Sequence, residues 1–169
     1  MGDAEKIIGF YKGEAPDHRG RLIGEIWQMS HFWLEHTHDY VQWLFPIPEP
    51  GRFNGFAPLL DEIAAEAFTA DQLLQRRQEQ SLDVMLDFFA LQRTAQGICA
   101  KPELNMTDHI WLKAGGHNHL RITRVIRSLG LCGQRDLALQ LQAAAIQIGT
   151  EKGRVSVKST EYWRFALQS

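Results

Sequence analysis

Cysteine is nearly absent: the 169 residues hold only Cys99 and Cys132. Neither stands in a Cys-x-x-Cys pair, so no disulfide framework and no thiolate metal cluster can be built from them. Both read as reduced, buried thiols in a reducing compartment. Long apolar runs are missing as well. The longest uncharged apolar stretch, Tyr40 to Pro48, falls far short of the about 20 residues that cross a bilayer. No sign of charge dominates, since 18 Lys and Arg against 20 Asp and Glu leave a formal net charge of −2. That balance argues against nucleic acid as a partner and against docking on a membrane through a polybasic surface. The opening Met1-Gly2-Asp3-Ala4-Glu5-Lys6 is acidic where a secretory signal is basic, and Lys6 stands where a myristoylation signal needs Ser or Thr. The expectation is a soluble, cytoplasmic protein. Motifs for nucleotide phosphates (Gly-x-x-x-x-Gly-Lys-Ser/Thr, Gly-x-Gly-x-x-Gly) and the Gly-x-Ser-x-Gly nucleophile elbow are also absent. The sequence leans away from an enzyme and calls for no cofactor.

What is present is helical periodicity. A hydrophobic fraction of 44% in a chain this long supports one core, and 169 residues suit a single domain. Ile7, Ile8, Phe10 and Tyr11 mark a short helix over 4–11. Ile23, Ile26 and Trp27 share one face of a helix over 22–34. Pro46, Pro48 and Pro50 make a stiff connector. Pro58 suits the first turn of the next helix, and Thr69 with Gln72 reads as a capping box for a helix to about Leu91. Residues 96–106 read as a loop, and a short helix is expected over 107–113. Further helices are expected over 117–129, with Ile122, Val125, Ile126 and Leu129 inward, and over 134–148. A last packing helix, carrying Tyr162, Trp163 and Phe165, is placed at about 157–167. No strand alternation persists. The expected fold is all-α: a single compact irregular bundle of about seven helices, one domain over 1–169 with its core in 4–150.

Four places carry chemistry. The loop Pro16-Asp17-His18-Arg19-Gly20-Arg21 can present Arg19 and Arg21 to a carboxylate or phosphate, or pair them with internal acids. Glu35, His38, Asp39 and Gln42 fall at i, i+3, i+4 and i+7, one stripe if the segment is an unbroken helix. That stripe either faces a pocket or is a solvated face. Glu35-x-x-His38 has the di-iron carboxylate spacing, but no second such pair exists. A metal or haem centre would need Glu35, His38 and His117 from separate helices. His117, Arg121, Arg124 and Ser128 form a polar stripe on one helix, either an anion-binding face or a surface row paired to acids.

Three stretches taken together resemble one family. They are Ile8 to Gly13 with Pro16 to Arg21; the string His38-Asp39-Tyr40-Val41-Gln42-Trp43-Leu44-Phe45-Pro46 with Asn54 to Leu60; and His117-Asn118-His119-Leu120-Arg121-Ile122-Thr123-Arg124 with Ser128-Leu129-Gly130. The family is the opioid growth factor receptor conserved region, and the likeness spans most of 4–150. Animal members are described as growth-restraining receptors for Met-enkephalin, associated with the nucleus and its membrane, and carry long additional tails. At this length the chain reads as the bare domain, of a microbial kind. The resemblance implies a binding domain and no catalytic residues. Its motif positions are Arg19, Arg21, His38, Asp39, Gln42, Trp43, Asn54, His117, Asn118 and Arg121. The expected ligand is a small molecule or peptide with an anionic group. The alternatives are an enzyme or metal protein using His38, Asp39 and His117, and a structural domain for protein interaction. Self-association stays open.

Overall fold

The structure, a computed structural model, describes residues 1–168. The chain divides into two compact units, residues 1–81 with 131–134, and residues 82–130 with the chain from 135 onward.

The first unit holds helices α1 (Asp3–Tyr11), α2 (Ile23–Trp27), α3 (His31–His36), α4 (Val41–Leu44) and α5 (Glu62–Ala70), and the start of α6 (Gln72–Phe88). Helix α1 packs on α5, where the Tyr11 and Phe68 rings meet edge to face at 5.0 Å. Tyr11 is wholly buried. Its hydroxyl donates to the Leu44 carbonyl and lies 2.9 Å from Ser81 Oγ, which accepts from Trp27 Nε1 at 2.9 Å. Burial drives the phenol pKa upward, against a smaller lowering from Ser81. Tyr11→Phe orphans the buried Leu44 carbonyl and part of Ser81. It is expected to cost about 1–3 kcal/mol, read as a lower urea midpoint at unchanged slope. Gln78, also fully buried, pairs neither amide atom with any described residue. Gln78→Met keeps the side-chain length and deletes the orphaned amide. The expected result is a stability gain of about 1 kcal/mol, read as a higher urea midpoint; a fall would show that the amide is held by a polar partner.

The second unit holds the end of α6, strands β1 (Leu91–Thr94) and β2 (Gly97–Ala100), a 3-10 turn (Ile110–Leu112), and helices α7 (His117–Leu131), α8 (Arg135–Lys152) and α9 (Val157–Phe165). Helix α8 packs on β2, the 3-10 turn and α9. The strands pair antiparallel, Leu91 opposite Ala100 and Thr94 opposite Gly97.

This corrects the expected all-α bundle of about seven helices. The described residues are mostly helical, with nine α-helices and a two-stranded sheet. Four-residue strands with one fully buried side chain each, Leu91 and Ile98, are too short to print an alternation. Ala90 at φ 59 turns the chain into β1, and Gly97 at φ 111 opens β2; at Ala90 no glycine advertises the left-handed turn. Helix 22–34 is in fact two helices, α3 being started afresh by Ser30, whose side chain accepts from Trp33 N. Helix α5 starts after Asp61, which caps Ala64 N, and not at Pro58. Thr69 lies inside α5 and donates back to Ala65 O. The Asp71 side chain accepts from Leu73 N at the start of α6 instead. The helix expected over 107–113 is the single 3-10 turn. Cys132 is buried, but Cys99 is half-exposed.

Candidate functional site

The site forms in the first unit, in the loop between α1 and α2 and the segment between α3 and α4. Asp17 is buried and organises the first loop. Its Oδ1 accepts from Arg19 N and Arg21 N, each at 2.9 Å, and its backbone N donates to Arg21 O at 2.9 Å. Gly20 closes the turn on the Asp17 carbonyl at φ 78, a left-handed conformation that costs other residues energy. This folding sends Arg19 and Arg21 toward Asp39.

Asp39 is the hub. Arg21 Nη1 lies 3.0 Å from Oδ1, Arg19 Nε 2.9 Å and His18 Nε2 3.2 Å from Oδ2, and Arg21 Nη2 donates to the Asp39 carbonyl at 3.2 Å. Arg21 Nε meets Asp17 Oδ2 at 2.7 Å. Burial alone would raise the Asp39 pKa; Arg21, then Arg19 and His18, outweigh it and hold the carboxyl below the usual range. His18 has a fixed tautomer. Trp43 Nε1 donates to His18 Nδ1 at 3.1 Å, so the ring hydrogen sits on Nε2 and points at Asp39. Phe56 stacks on the same imidazole at 4.4 Å. Three cationic or N–H groups crowd the Asp39 carboxylate and hold it ionised, and the Trp43 indole occupies the basic nitrogen of His18.

Beside this network lies a concavity of about 670 Å³. Arg19, Trp33, His36, Thr37, His38, Asp39, Phe53, Asn54 and Phe56 line it. Trp33 and Phe53 are largely exposed, 59% and 83%. Such apolar area at a concavity is the usual mark of a recognition surface. Arg19 contacts Asp39 only through Nε, which leaves its terminal amino groups without a partner among the described residues. Arg52 sits over the Phe53 ring at 5.7 Å. Two cations therefore flank an aromatic wall.

Of the residues expected from sequence, Arg19, His38, Asp39 and Asn54 share this wall. Gln42 Nε2 reaches Asn54 Oδ1 at 3.3 Å, Arg21 braces Asp39, and Trp43 lies behind, on His18. The stripe Glu35, His38, Asp39, Gln42 is not helical: α3 stops at His36, Thr37 is extended, and α4 begins at Val41. His117, Asn118 and Arg121 lie on α7, in the second unit. Of the row His117, Arg121, Arg124 and Ser128, Arg121 and Ser128 are buried while His117 is exposed, so the row is not one solvated surface; Arg121 Nη1 donates to Asn118 Oδ1 at 3.3 Å. Sequence reasoning did not single out His18, Trp33, Phe53 or Phe56. The loop string held His18 between the two arginines, and that adjacency was the available signal. Among the described residues, no three His, Cys, Asp or Glu side chains are grouped to hold a metal ion. No helix among them is long and apolar enough to cross a membrane.

Comparison with known proteins finds the opioid growth factor receptor (OGFr) conserved region over residues 5–169. The opioid growth factor receptor of Mus musculus is 35% identical over 133 residues, 75% of this chain and 21% of that protein. The opioid growth factor receptor of Homo sapiens is 30% identical over 172 residues, 95% of this chain and 25% of that protein. Opioid growth factor receptor-like protein 1 of Rattus norvegicus is 34% identical over 131 residues, 75% of this chain and 28% of that protein. The chain thus spans about a quarter of the length of these curated relatives. No solved structure matches.

Proposed function

Because the chain belongs to the opioid growth factor receptor conserved-region family, we propose that its Arg19–Asp39 concavity is a ligand groove for a peptide or small molecule bearing an anionic group and an aromatic or apolar body. The observation that carries this reading is Arg19. Its Nε is locked on Asp39 while its terminal amino groups stay uncommitted at the edge of a wall made by Trp33, Phe53 and Phe56. A guanidinium held at one nitrogen is already oriented, so less side-chain entropy is lost when it takes a carboxylate. The aromatics supply contact area of the kind that dominates binding hot spots. Asp17, Asp39, Arg21 and His18 are the brace that holds Arg19, and they do not touch the ligand through free valences. The unbroken family match also supports one functional domain over 1–169. Cys99 and Cys132, which form no disulfide, suit a protein of the cytoplasm.

The receptor name of the relatives makes an opioid peptide the first probe. Met-enkephalin with a free terminal carboxylate is expected to bind wild-type protein in calorimetric titration. The carboxamide form, and the Arg19→Ala and Trp33→Ala variants, are expected to bind at least tenfold more weakly, about 1.4 kcal/mol per substitution. Equal heats for the acid and the amide, or variants that bind like the wild type, would overturn the anionic-groove reading.

A further inference from the structure

The second unit contains a separate concavity of about 380 Å³, whose wall includes His119, Ser159, Leu120, Lys158, Tyr162 and Trp163. The polar geometry inside it is specific. His119 is buried, with Nε2 2.7 Å from the Trp111 carbonyl oxygen. A carbonyl only accepts, so Nε2 carries the hydrogen. Burial pushes the imidazole pKa below its ordinary value, against a smaller raising by backbone carbonyls, so the ring is neutral near pH 7 and Nδ1 is a lone-pair acceptor. Ser159 Oγ lies 2.7 Å from Nδ1, and its hydroxyl hydrogen must therefore point at that nitrogen. Ser156 Oγ, 3.2 Å from Ser159 Oγ, occupies one of that oxygen's acceptor positions and leaves its hydrogen to the imidazole. The Trp163 ring meets the imidazole edge-on at 5.2 Å, and its Nε1 donates to the His119 carbonyl at 3.1 Å. Both faces of the arrangement are fixed, and both reacting side chains line the open space.

A hydroxyl on a base whose far nitrogen is held by a third group is the arrangement that activates a serine. We infer that Ser159 is a nucleophilic hydroxyl, with His119 as its general base and the Trp111 carbonyl as the group that orients the base, serving small esters of apolar acids. The acyl chain packs against Leu120 and Trp163, and Lys158 adds positive charge near the developing oxyanion. In the first step Ser159 Oγ bonds to the ester carbonyl carbon while its proton passes to His119 Nδ1. The ester C–O bond then breaks, and the alcohol leaves with that proton. Water, deprotonated by His119 in the same way, displaces the acyl group, which releases the acid and restores the hydroxyl. No oxidant or metal enters the balance.

The test is covalent labelling with an alkyl fluorophosphonate, which transfers its phosphonyl group to an activated serine with loss of fluoride. The expected result is one adduct mapped by mass spectrometry to Ser159, none in Ser159→Ala, and a rate at least tenfold lower in His119→Gln. In wild-type protein the labelling rate is expected to fall with pH, with its midpoint below the ordinary histidine value of about 6.5. Hydrolysis of p-nitrophenyl butyrate is expected to follow the same pattern. Absence of an adduct at Ser159 in the wild type overturns the inference, as does labelling that is flat with pH. The pH profile decides the matter without a variant if His119→Gln does not fold.

Discussion

Asp39→Ala is expected to cost about 2–3 kcal/mol, lowering the melting temperature by roughly 5–10 °C for a chain of this size. Exposed ion pairs are worth little, but Asp39 is only 18% exposed and so is its main partner Arg21. Removing it strips a counter-ion from a part-buried guanidinium, releases Arg19, and leaves His18 Nε2–H without its acceptor. The pH dependence separates charge from packing. Folding holds this carboxyl below its ordinary value, so its contribution is complete above about pH 4, the unfolded-state value. It declines as pH falls and is lost once pH passes below the native-state value. Denaturant midpoints of wild type and Asp39→Ala, measured from pH 7 downward, should therefore draw together as the solution turns acid. A gap that stays constant would show that the loss is one of packing.

Much of this network was legible because opposite charges announce each other. A loop with Arg19 and Arg21 and a string with Asp39 offer each other counter-charges, and the structure pairs them, Arg21 with both Asp17 and Asp39 and Arg19 with Asp39 through Nε. What could not be read was the break between α3 and α4. The spacing of Glu35, His38, Asp39 and Gln42 fits an unbroken helix perfectly well. Across the break the buried Tyr40 ring sends its hydroxyl back to the Leu34 carbonyl at 2.6 Å, a contact that helical spacing does not register. His18 was hidden for a similar reason. Its meaning comes from Trp43 at Nδ1 and Phe56 on its face, which lie far along the sequence. The hairpin was concealed by its shortness, and the Ser159–His119 contact by a separation of 40 residues, since neither lies in the Gly-x-Ser-x-Gly string that marks one class of activated serine.

Trp111→Ala is expected to be the costliest single change in the second unit, about 3–5 kcal/mol. The residue is 1% exposed and sits in a 3-10 turn of three residues, a structure too short to hold itself. What fixes it is its side chain. Nε1 donates to the Phe89 carbonyl at 2.8 Å, which ties the turn to the chain just after α6, and the indole lies 6.3 Å from the Phe89 ring and 6.4 Å from Trp163. Alanine removes that anchor, leaves a large cavity and orphans the Phe89 carbonyl, so the transfer, cavity and hydrogen-bond losses act together. Trp111→Phe restores most of the volume but not the donor, and should recover more than half of the loss in thermal unfolding. The same pair bears on His119, because the Trp111 carbonyl holds Nε2. If the backbone of the turn stays in place in Trp111→Phe, the Ser159–His119 contact is kept and fluorophosphonate labelling proceeds at the wild-type rate. In Trp111→Ala the turn loosens and labelling falls with it, even at temperatures where most molecules remain folded.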